Sequence, residues 1–86
     1  MNIDDFKLEL KALQNKDVED ALAAGFEDKD SWFRHIINQD KDEVASAIID
    51  LANRYGVQET VVAYYFDPTM LIRLSKIKAN AKQMTI

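Results

Sequence analysis

Two glycines and one proline are all that 86 residues offer for breaking a helix or reversing the chain cheaply. No Asn-Gly, Asp-Gly or Gly-Gly pair is present to close a β-hairpin. Between the breaks, apolar residues recur every three or four positions, the spacing of one helix face. This pattern leaves an all-α protein, a compact bundle of five or six short helices. A chain of this length holds one domain, residues 1–86, because two independent cores would each be too small to fold.

The helices are expected as follows. The first runs from Ile3 to about Gln14, with Ile3, Phe6, Leu10 and Leu13 on one face, Asn2 as cap, and Asp4 and Asp5 at the positive end of its dipole. A second, from about Asp17 to Ala24, is capped by Asp17, turns Val18, Ala21 and Leu22 inward, and stops at Gly25. Asp28 or Asp30 caps a third carrying Trp32, Phe33, Ile36 and Ile37. Asp40 with Glu43 three residues on resembles a capping box for the fourth, which places Val44, Ala45, Ile48, Leu51, Ala52 and Tyr55 on one stripe and ends at Gly56. A fifth covers about Gln58 to Phe66. Asp67-Pro68 then opens a C-terminal helix within 67–86, with Met70, Leu74, Ile77, Ala81 and Met84 inward and a frayed end at "QMTI". "ALAAGF" and "ANRYGV" share Ala-x-x-x-Gly-apolar spacing and read as two helices stopping in the same way.

The net charge of −4 is unevenly spread. Residues 1–50 carry 13 acidic and 6 basic side chains; residues 51–86 carry 2 and 5. Such asymmetry points to a polyanion partner for the basic part or a basic partner for the acidic part. With no cysteine, disulfides, thiolate metal sites and a cysteine nucleophile are excluded, which suits a reducing cytoplasm. The N-terminus is acidic and lacks a signal-like apolar run. The longest uncharged apolar stretch, Thr60 to Phe66, falls far short of the ~20 residues of a membrane span. The expected protein is cytoplasmic, and marginally stable unless it oligomerises.

Residues 48–66 resemble the helix-turn-helix of small phage and bacterial DNA-binding repressors. Ala52 is the small residue where the second helix crosses, Gly56 the turn glycine four residues later, Val57 the apolar plug, and Val62 the β-branched anchor. Leu51, Tyr55 and Tyr65 take the remaining inward places. The resemblance implies that Gln58, Thr60, Val61, Ala63 and Tyr64 face base edges. Arg54, Arg73, Lys76, Lys78 and Lys82 would supply phosphate contacts. It departs from the family in charge: the outward face of the second helix holds no cation, and Glu59 and Asp67 flank it. On a helical wheel, Arg73, Lys76, Lys78 and Lys82 border both sides of the apolar stripe rather than lining one face, as long cations covering a core edge do.

Enzymatic chemistry finds little support. His35 is the single histidine, and Ser31, Ser46 and Ser75 lie in no nucleophile motif, so His35 reads as structural. Asp28, Asp30, Asp40, Asp42 and Glu43 lack the central glycine of a calcium loop and read as caps and solvated charges. No metal, cofactor or catalytic residue is expected. Among the aromatics, Tyr64 and Tyr65 point about 100° apart on a helix, which leaves Tyr64 at a surface or interface.

Two functions follow. One is a small non-enzymatic DNA-binding regulator, acting as a dimer because one short helix gives little affinity. The other is a protein-interaction module, an inhibitor or adaptor, whose acidic N-terminal half docks on a basic surface through carboxylates such as Asp17, Glu19 and Asp20.

Overall fold

Helix α1 runs unbroken from Ile3 to Ala23, through the Asn15-Lys16-Asp17 segment where a break is expected. The computed structural model describes residues 3–84; the side chains of 3, 63 and 81–84 lie outside the description. Nothing in Asn15-Lys16-Asp17 forbids helical dihedrals, and Lys16 Nζ donates to Asp20 Oδ2 at 2.9 Å one turn on. Asp17 is therefore not a cap; its carboxylate turns towards the core.

The remaining elements are α2 (Lys29–Ile36), α3 (Glu43–Tyr55), α4 (Glu59–Tyr65) and α5 (Met70–Met84). No strand occurs among the described residues, and the all-α bundle is the fold. None of these helices is long and apolar enough to cross a membrane. Asp28 caps α2, accepting from the Ser31 N–H and hydroxyl, each at 2.8 Å. The cap of α3 is Asp42, not Asp40: it accepts from Ala45 N at 3.1 Å. Glu43 is thus the first helical residue and forms no capping box. Asp67 accepts from the Thr69 N–H and hydroxyl in a tight turn, so α5 starts two residues after Pro68.

Helix α3 is the central element and packs against α1, α4 and α5. Its buried stripe, Val44, Ala45, Ile48, Leu51 and Ala52, follows the heptad-like spacing that its sequence shows. Phe6 and Leu10 meet it from α1, Val62 from α4, and Met70 and Leu74 from α5. Helix α1 is about 32 Å long against about 20 Å for α3, and its last turns outrun the central helix. Ala21 stays buried there, but Val18 and Leu22, expected inward, face solvent. Ala81 and Met84 of the expected α5 stripe lie outside the described side chains. The whole is flat, 37 × 35 × 18 Å. Helix α2 contributes no fully buried residue and is tied down mainly through Trp32, whose indole N–H donates to Asp17 Oδ1 at 3.0 Å.

Under the apolar layer sits an ion cluster. Arg73 of α5 is 5% exposed. Its Nε and Nη2 donate to the two oxygens of Asp42 at 2.7 and 2.9 Å, and its Nη1 and Nη2 to those of Asp17 at 3.0 Å each. Burial by itself lowers the guanidinium pKa, but the bonds to Asp42 and Asp17 outweigh it and raise the pKa above its ordinary value.

The two glycine ends are built alike. Val57 N–H reaches back to the Ala52 carbonyl and Phe26 N–H to the Ala21 carbonyl, both at 2.9 Å, the six-to-one bond of a Schellman motif. The glycines between them, Gly56 at φ 65° and Gly25 at φ 91°, occupy the left-handed region.

A Cβ on Gly56 would meet no atom within 4 Å, so substitution there costs backbone strain alone. Gly56→Val is expected to lower stability by about 1–3 kcal/mol in urea unfolding, and Gly56→Asn by less, since asparagine tolerates this conformation. Equal effects of the two would contradict a strained turn. Removing Arg73 strands two carboxylates in the core, so Arg73→Met is expected to cost about 3–5 kcal/mol. Arg73→Lys should recover only part of that, because an ammonium cannot form the two-sided fork. Melting curves in which both variants match the wild type would refute the structural role of the cluster.

Candidate functional site

Between α3 and α4, most of the positions expected inward are covered. Ala52 and Val62 are buried, and Val57 packs half-buried against the core beneath the turn. Tyr65 is the exception: it is 43% exposed, its ring edge-on to Tyr64 with Lys7 Nζ 5.2 Å from its centroid. Gln14 Nε2 donates to the Tyr65 carbonyl at 2.9 Å, so α1 flanks the end of α4.

Outward from α4, Gln58, Thr60, Val61 and Tyr64 are exposed, Tyr64 at 84%. The side chain of Ala63 lies outside the described residues. Gln58 makes no side-chain cap bond. This face is uncharged, and the cations expected beside it are engaged elsewhere. Arg73, expected at phosphate, is buried between Asp17 and Asp42; two carboxylates draw a flank cation inward. Arg54 Nη1 donates to Glu9 Oε1 of α1 at 3.1 Å. Lys76 Nζ donates to the carbonyls of Ile37 and Gln39 beyond α2. Lys78 Nζ donates to Glu59 Oε2 at 2.7 Å, and Lys82 lies outside the described side chains. The structure therefore gathers Gln58, Thr60, Val61 and Tyr64 on one short helix and leaves Arg54, Arg73 and Lys76 on internal contacts.

The expected acidic docking residues also divide. Glu19 is exposed. Asp20 pairs with Lys16, and Asp17 belongs to the buried cluster, so it is a structural residue.

A second feature escapes the periodicity of single helices. An open groove of about 470 Å³ lies between the C-terminal half of α1, α2 and the α4–α5 turn. Its apolar lining comes from Val18 and Leu22 of α1, Trp32 and Phe33 of α2, and Phe26 and Phe66 of the connecting segments. Met70, Asp17 and Arg73 also line it. His35 stacks behind this wall, its ring 4.7 Å from Phe26 and 5.7 Å from Trp32, which gives the histidine a packing role. The sequence carries one signal for the groove: α1 has more apolar residues than one face can hold. Leu8, Val18 and Leu22 fall outside the arc of Phe6, Leu10 and Ala21.

No protein-family model matches this chain, and neither a curated protein nor a solved structure does.

Proposed function

We propose that this chain is a non-enzymatic protein-binding module that docks through its acidic N-terminal half on a basic partner surface, with the helix-turn-helix-like unit serving packing. The observation that carries this reading is where the cations go. DNA binding draws much of its affinity from lysine and arginine on phosphates. Here Arg73, Arg54, Lys76 and Lys78 bond to carboxylates and carbonyls of the chain itself. Carboxylates of the other half, Glu19, Glu27 and Asp30, are exposed. With 13 acidic against 6 basic side chains in residues 1–50 and these cations paired within the chain, such a surface attracts basic partners and disfavours nucleic acid.

The test separates this from the DNA-binding regulator. The full chain is expected to leave duplex DNA unretained even at ~50 mM salt, where phosphate contacts are strongest. Its binding to a basic partner surface should slow with added salt and be lost on charge reversal of Glu19, Glu27 and Asp30 together. Asp17 is excluded from that set, because replacing it would unbalance the core. A specific DNA complex would overturn the proposal, above all one whose sequence preference changes with Gln58→Ala or Thr60→Ala.

A further inference from the structure

We draw no further inference here: the strongest candidate, the open groove between α1, α2 and the α4–α5 turn, has acids and bases both on its border, and nothing in the structure shows what covers its apolar lining.

Discussion

Arg73 holds together elements that the apolar core alone leaves loosely related. Its fork grips Asp42, which at the same time caps α3, and Asp17, which at the same time receives the indole of α2. One guanidinium thus fixes α5 against the start of α3 and the middle of α1, and reaches α2 through a shared carboxylate. Desolvating three charges is costly, and only the two-sided geometry with the additional N–H donors offsets it. In a protein only 18 Å thick, less than two helix diameters of about 10–12 Å, the apolar layer offers few directional contacts. The ion cluster supplies direction.

That internal use of charge shapes the surface. A cation paired with a carboxylate of the same chain is less free to meet phosphate, although the pair leaves the net charge of the surface unchanged. Arg54 on Glu9, Lys78 on Glu59 and Lys16 on Asp20 and Glu43 are exposed or half-exposed pairs of small energetic worth, and each cancels a cation and a carboxylate together in the potential seen by a partner. The α4 face is uncharged and tipped by Tyr64, and the groove is apolar with acids and bases both on its border.

The parts of the fold legible in sequence were those set by local chemistry. Gly25 and Gly56 each stop a helix by the same motif, and the shared spacing around them predicts it. The stripe of α3 is plain from its period. The errors arose where a residue's partner lies far along the chain. Asp17 looks like a cap because short acidic side chains favour caps, but Arg73, 56 residues away, claims it and the helix runs on. Asp40 and Asp42 compete for one cap by local rules, and Arg73 again favours Asp42. Arg73 itself looks like a solvent-facing flank residue, since a helical wheel records angle but not what the neighbouring helices carry. The groove was hidden for a related reason: its lining comes from α1, α2 and the α4–α5 turn, each of which reads as ordinary core or edge alone.

Helix α2 has a further consequence for motion. It buries no side chain completely and depends on the Trp32–Asp17 bond and the stacking of Phe26, Trp32 and His35. Opening it leaves the α1–α3 and α3–α5 contacts of the core in place, so its opening free energy should lie below that of global unfolding. The amides of α2 should therefore exchange faster than those of α3, whose buried stripe opens only with the core. Of the walls of the groove, α2 is thus the one held least firmly, and α1 the one anchored in the core.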